Sequence, residues 1–391
     1  MLKYKRKASP VKIEFERLFF MDFTFHMPVR VISGEGCVRQ NGELLRSLGR
    51  HCLIMTGKNS ARQSGALEDI MQTLDRQGVE FTIYPKITAN PLLSSCCEAA
   101  EAARLCGADF VIGIGGGSVM DAAKASAWLA SNDTSAGEQL MQGRLRHAPL
   151  PLVLVGTTAG TGSEVSAVAV ITMDKDGRKR SITHQNCYAR IAFADPIYTH
   201  SATRATTIST ALDAFCHAAE GWFCPQCGDV ITAMGEKALL MLIDGLEWLA
   251  ENDGLPDADM REQLYYGSLW AGMVLNATGT AFPHPLGYIL TEDYNIAHGM
   301  ACAVFLPALL ERAEVHAANR VDKFYSLCGG SQRVKNVLDK LISYDVIMTK
   351  ERVNSYEPRW NRLKNFDRTP GGFTKHDAVS LFHTLFTQDL G

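Results

Sequence analysis

At 391 residues the chain has room for two ordinary domains with separate cores, which excludes a small disulfide-held scaffold. Hydrophobic residues make up 46% and charged residues 21%, a balance that excludes extended disorder. With 39 basic against 42 acidic residues the net charge is −3, too little positive field for nucleic acid to be a partner.

The first twenty residues carry Lys3, Lys5, Arg6, Lys7, Lys12 and Arg17, and their apolar residues never form the continuous run of a secretory signal or a membrane span. They read as a loosely attached extension. Met21 opens MDFTFHMPVRVISGEG, which reads as the start of a strand. Eleven cysteines at irregular spacing, from Cys37 to Cys328, make a poor disulfide framework, so a reducing, cytoplasmic location without membrane association is expected. The one tidy pair, Cys224-Pro-Gln-Cys227, has no second CxxC to complete a zinc site and reads as structural.

Four short apolar runs follow: CLIMT (52–56), FTIYP (81–85), FVIGIG (110–115) and LVLVG (152–156). LEDIMQTLDRQG (67–78) and SSCCEAAEAARLCG (94–107) lie between them with helical spacing of apolar residues. This is the pattern of βαβ units, and it predicts a parallel sheet with ligands at the carboxyl ends of its strands. At the end of FVIGIG, Gly113-Ile114-Gly115-Gly116-Gly117-Ser118 runs into the helix VMDAAKASAWLA. Glycines allow close approach and positive φ, Ser118 can cap the helix, and the helix N-terminus favours an anion such as a pyrophosphate. Ser118 stands where G-x-G-x-x-G would have its last glycine, so the ordinary dinucleotide fingerprint is not matched. Gly156-Thr157-Thr158-Ala159-Gly160-Thr161-Gly162-Ser163-Glu164 closes the next strand and suits hydrogen bonding to phosphate, ribose or carboxamide; the alternative is a Thr-capped turn.

Beyond about Arg204 the runs become helix-patterned (TISTALDAFCHAAEGWF, DVITAMGEKALLMLIDGLEWLAEN, ADMREQLYYGSLWAGMVLNA). The expected organisation is an α/β domain over 1–203 with a parallel sheet and an all-α domain over 204–391, sharing a cleft. Asp213 and His217 are four apart and project from one helical face, where they can grip one ion, although such a pair alone is more often a surface hydrogen bond. His284, between Pro283 and Pro285, reads as presented from a rigid helix-ending turn, and His298 lies beside Gly299. One carboxylate and three imidazoles suit iron(II) or zinc with a position left open for substrate.

GGGSVMDAAK (115–124), TTAGTGSE (157–164), DAFCHAAEG (213–221) and HPLGYILTEDYNIAHG (284–299), in this order, resemble the iron-containing alcohol dehydrogenase family. The likeness runs from about Phe23 to Pro307, with a looser fit in the helical tail. It implies a dehydroquinate-synthase-like fold, with NAD or NADP in the cleft and one divalent metal, usually iron(II) and sometimes zinc. It assigns Asp213, His217, His284 and His298 to the metal. Gly116, Gly117 and Ser118 fall on the pyrophosphate loop, Thr157 and Thr158 on the second cofactor loop, Lys179 on a lysine reaching the cofactor, and Asn90 near the adenosine side.

Two positions depart from the family. Tyr288 stands where many members carry a further histidine, and a phenol with an ordinary pKa of ~10 is a poorer base at neutral pH. Gly57 stands where NAD-preferring members place an acidic residue; with Lys58 and Arg62 nearby, NADP is favoured. The expected activity is hydride transfer between nicotinamide and a small alcohol or aldehyde, by a homodimer. The alternatives are a glycerol-dehydrogenase-like polyol oxidoreductase, a lyase of the dehydroquinate-synthase type and a catalytically idle scaffold.

Overall fold

The computed structural model describes residues 24–387, so the extension read over residues 1–20 lies outside the described part. Eight strands occur among the described residues: β1 (Arg30–Ser33), β2 (His51–Gly57), β3 (Glu80–Ile87), β4 (Phe110–Gly115), β5 (Leu152–Gly156), β6 (Val168–Thr172), β7 (Lys179–Thr183) and β8 (Ile191–Ala194). Six of them form one sheet in the order β1-β8-β5-β4-β2-β3, parallel at every pairing. Strands β4 and β5 are buried at every residue, which is why FVIGIG and LVLVG read as unbroken apolar runs: both faces of a central parallel strand are covered. Strand β3 lies at the edge, and its exposed Glu80, Pro85 and Lys86 fit that place.

Helices α1 (Ala66–Gln77), α2 (Leu93–Leu105) and α3 (Gly117–Ala130) join these strands. In α1, Leu67, Ile70 and Leu74 line the buried face, and Gly78 at φ 63° ends the helix in the left-handed conformation that a side chain would resist. Helix α3 is packed close against the sheet. A Cβ at Gly113 would stand 2.7 Å from that of Ala123, so both positions must be small.

The chain leaves β2 toward β3 on one side and adds β4 on the other. The strand order therefore reverses between β2 and β4, where a parallel sheet opens a crevice at its carboxyl ends. Gly57 ends β2 and the glycine run ends β4, so both lie at this crevice.

From Arg204 onward the described residues contain no strand. The helices that bear on the site are α4 (Arg204–Phe223), α5 (Asp229–Glu251), α6 (Ala258–Thr278), α7 (Pro283–Tyr294) and α8 (His298–Ala303), followed by further helices to Phe386. Helix α4 starts on Thr203, whose Oγ1 accepts from Thr206 N at 3.2 Å, and from Ala211 to Phe223 it is buried on all sides. It is the axis on which α5, α6 and α8 pack. Among the described residues no helix is long and apolar enough to cross a membrane, and all eleven cysteines are free thiols.

The two parts are seated on each other by polar contacts. Arg261 of α6 donates to Thr199 O at 2.7 Å and Ala202 O at 3.2 Å, and Glu292 of α7 accepts from Lys179 N at 2.8 Å. The latter bond ties the antiparallel hairpin β6–β7 to the helical part.

One local expectation is overturned. The prolines flanking His284 open a helix instead of ending one, because Pro283 occupies the first helical position, where the missing N–H has no intrahelical partner to lose.

Candidate active site

On the sheet edge, the β4–α3 turn and the β5 loop press together. A Cβ at Gly116 would lie 3.1 Å from Thr158 Oγ1, and one at Gly117 would lie 2.5 Å from Thr161 Cγ2. These glycines serve close approach alone: no residue from 113 to 118 has positive φ, contrary to the sequence expectation. Ser118 also differs from expectation. The helix begins at Gly117 with extended Gly116 before it, so Ser118 is already inside the first turn and does not cap it; its Oγ accepts from Asn90 N at 3.2 Å instead. Asn90, at φ 53°, is thereby held against the glycine turn.

No side chain caps α3, which leaves its N-terminus, with the positive end of the helix dipole, facing the crevice. Thr157 Oγ1 is buried without a hydrogen-bond partner, and Thr158 beside it is half-buried. The Asp and Lys of GGGSVMDAAK fasten this edge from beneath. Lys124, fully buried, donates to Ser163 Oγ at 2.7 Å and Val168 O at 2.6 Å; Asp121 accepts from Ser163 Oγ at 2.7 Å and Val170 N at 2.8 Å. These residues and donor sets fit an extended dinucleotide phosphate.

On the helical side, the structure brings Asp213, His217, His284 and His298 together. Asp213 Oδ1 lies 3.8 Å from His217 Nε2, 3.5 Å from His284 Nε2 and 3.9 Å from His298 Nε2. Asp213, His217 and His284 are buried, while His298 has 28% of its side chain exposed toward the open side. Asp213 Oδ1 and His284 Nε2 have no hydrogen-bond partner although they face each other. Three imidazole nitrogens around one orphaned carboxylate oxygen form a donor set that fits a divalent ion.

The electrostatics agree with that fit at two of the three rings. Burial holds His217 down to about 4, and burial with the nearby Lys179 ammonium holds His298 down to about 3, so both rings are neutral, as ligands must be. Burial opposes charge on His284 too, but Cys302, Glu220 and Asp213 outweigh it and hold that ring well above its ordinary value. With no ion bound, the protonated His284 ring helps keep Asp213 ionised against the effect of its own burial, and an ion would take the place of that proton.

Between the two sides stand Lys179 and Tyr288. Lys179 Nζ lies 5.7 Å from the Tyr288 ring, which stacks on His298 with centroids 5.5 Å apart. Burial lowers the Lys179 pKa and raises that of Tyr288 well above the ordinary phenol value, so at neutral pH the phenol keeps its proton. Gly57 ends β2 with Val119 of α3 3.8 Å from where its Cβ would be, and Lys58 and Arg62 are exposed nearby.

Two residues escaped the sequence reading. Glu220 is fully buried; its Oε1 lies 2.6 Å from His284 Nδ1, and its Oε2 accepts from Ala281 N at 2.7 Å. It therefore orients the His284 ring, leaving Nε2 toward Asp213. Its signal was present, since Asp213, His217 and Glu220 fall at i, i+4 and i+7 on one helical face. The other is Cys302, one turn after His298, whose Sγ lies within 4.8 Å of the ligand atoms of Asp213, His284 and His298. Cys224 and Cys227 lie apart from this cluster: Cys224 packs on Gln226, and Cys227 accepts from Arg320.

The comparisons with known proteins converge on one family. The family described as iron-containing alcohol dehydrogenase matches residues 28–196, and its C-terminal counterpart, described as Fe-containing alcohol dehydrogenase family, C-terminal, matches 207–349. The probable alcohol dehydrogenase EutG of Escherichia coli is 29% identical over 81% of this chain and 79% of its own length. Long-chain-alcohol dehydrogenase 1 of Geobacillus thermodenitrificans is 30% identical over 76% of this chain and 75% of its own. Among solved structures, an iron-containing alcohol dehydrogenase from Thermotoga maritima superposes with a TM-score of 0.85 at 32% identity, covering 93% of this chain and 99% of that one.

Proposed function

The chain belongs to the iron-containing alcohol dehydrogenase family and is an oxidoreductase acting on alcohols, and from this premise we propose the roles of its residues. Residues up to 203 carry the dinucleotide and those from 204 carry the ion, with hydride passing between nicotinamide and a small alcohol or aldehyde in the cleft. One observation carries this reading: three imidazoles from three helices surround Asp213 Oδ1, which is buried without a hydrogen-bond partner.

Asp213, His217, His284 and His298 would hold the divalent ion, iron(II) by family habit or zinc. When bound, such an ion polarises a carbonyl or acidifies a hydroxyl at neutral pH. The chain's own residues bind and orient. The N-terminus of α3, with Gly116, Gly117 and Ser118, receives the diphosphate, and Asn90 closes the adenosine side. Thr157 and Thr158 offer hydroxyls along the nicotinamide half. Glu220 fixes His284, and Tyr288 orients His298 by stacking on it. With its proton retained, Tyr288 serves as a hydrogen-bond donor and not as a free base. Lys179 brings positive charge to the join between cofactor and ion.

His217→Ala is expected to abolish metal-dependent NAD(P)H oxidation with short aldehydes; unchanged turnover would remove the ion from the mechanism. We further propose that NADP is preferred. Gly57 offers no carboxylate to repel a 2′-phosphate, and Lys58 and Arg62 lie beside it. Comparing kcat/KM for the two cofactors tests this, with the ratio expected to favour NADPH and to reverse in Gly57→Asp. A clear advantage for NADH in the unaltered protein contradicts it.

A further inference from the structure

Helix α8 carries a second potential donor to the ion site. His298 and Cys302 are four residues apart and therefore share one face. Two glycines bring that face into the cluster. A Cβ at Gly299 would stand 1.8 Å from Ser209 O and 2.8 Å from Asp213 Cβ, and one at Gly287 would stand 3.0 Å from the Cys302 nitrogen. With both side chains absent, α8 lies directly on α4 and α7, and Cys302 is fully buried.

The thiol's polar neighbours are the candidate ligand rings themselves, His284 and His298. Its Sγ lies 3.7 Å from His298 Nδ1 and 3.8 Å from Nε2, so it flanks the ring and favours neither nitrogen. Independently, Asp213 Oδ1 and His284 Nε2 are buried without partners in the same cluster. The ligand atoms of Asp213, His284, His298 and Cys302 lie within 4.8 Å of one another, so a slight contraction lets one ion stand among them at the ~2.0–2.3 Å bond lengths of zinc, with Cys302 a further donor beside His217.

We propose that Cys302 is a sulfur donor to the ion held by this cluster, making the centre a mixed nitrogen, oxygen and sulfur site that selects zinc over iron(II). The proposal rests on the ion-binding reading above. Thiolate is a soft ligand that zinc accepts readily, whereas a carboxylate and imidazoles alone discriminate less. The step involves no redox change: the sulfur–ion bond forms, the S–H bond breaks, and the proton leaves to solvent. Lys179, whose ammonium interacts electrostatically with Cys302, offsets part of the added negative charge.

Cobalt(II), added to the full-length protein after chelator treatment, is the probe. The unaltered protein is expected to show the visible bands of low-coordinate cobalt and a near-ultraviolet sulfur-to-cobalt charge-transfer band. Cys302→Ala should keep the visible bands and lose the near-ultraviolet one, and after loading from an equimolar mixture its zinc-to-iron ratio should fall about tenfold. The nearly isosteric Cys302→Ser gives the same readout if the alanine variant does not fold. Visible bands without a sulfur band in the unaltered protein, or a sulfur band that survives both substitutions, would overturn the assignment while leaving the ion site standing. Failure to take up cobalt at all would overturn both.

Discussion

The two walls of the cleft are made by opposite means. The proposed nucleotide wall is a matter of backbone: contiguous glycines and hydroxyl residues at the ends of β4 and β5, where the absence of side chains lets two loops meet. The proposed ion wall is a matter of side chains drawn from α4, α7 and α8, separated by up to 85 positions from Asp213 to His298, brought together and tuned by one another's charge. A wall of the first kind tolerates no added atoms. The second tolerates no lost charge or lone pair.

That contrast can be broken most sharply on the ion side. Glu220→Gln keeps the shape next to His284 but removes the carboxylate charge, and it should weaken ion affinity about 10–100-fold while cofactor binding is unchanged. Equal losses for ion and cofactor would mean that the walls are not separate. On the nucleotide side, Gly117→Ala places a Cβ 2.5 Å from Thr161 Cγ2 and should cost about 1–3 kcal/mol of overpacking. The expected reading is a cofactor KM raised about tenfold with full ion content.

The smallest effect concerns acid. In the ion-free protein the rings of His217 and His298 stay neutral down to about 4 and about 3, while in the unfolded chain they take up protons near 6.5. Below that value the unfolded state binds more protons at these two sites, and His284, protonated in both states there, adds nothing. The contribution of these two sites to stability should therefore fall as pH drops from 6.5 toward 4, by a few kcal/mol to order of magnitude. Urea midpoints across this range, compared with those of a His217→Gln, His298→Gln variant, check it: the variant should lose less stability toward acid, and an equal loss would mean that the rings are not held neutral.

The same contrast explains what was legible in the amino-acid sequence. Strands β2 to β5 and the helices between them were readable, because buried parallel strands are continuous apolar runs and amphipathic helices carry a period. The hairpin β6–β7 was not: KRSIT is mostly exposed, and its fastening to Asp121, Pro91 and Glu292 is tertiary. The glycine run pointed to its place but not to its conformation, since close packing and positive φ both select glycine. On the ion side, residue types at helical spacing suggested Asp213 and His217. Glu220 passed unnoticed among ordinary helix formers, and Cys302 among ten other cysteines, because what distinguishes them is burial against His284 and His298.

The most direct test of the central claim is an anomalous-difference map from crystals of the protein loaded with iron(II) or zinc. The account predicts a single strong peak within bonding distance, ~2.0–2.2 Å, of Asp213 and the imidazoles of His217, His284 and His298. A peak away from these four residues, or no peak in fully loaded crystals, would contradict it.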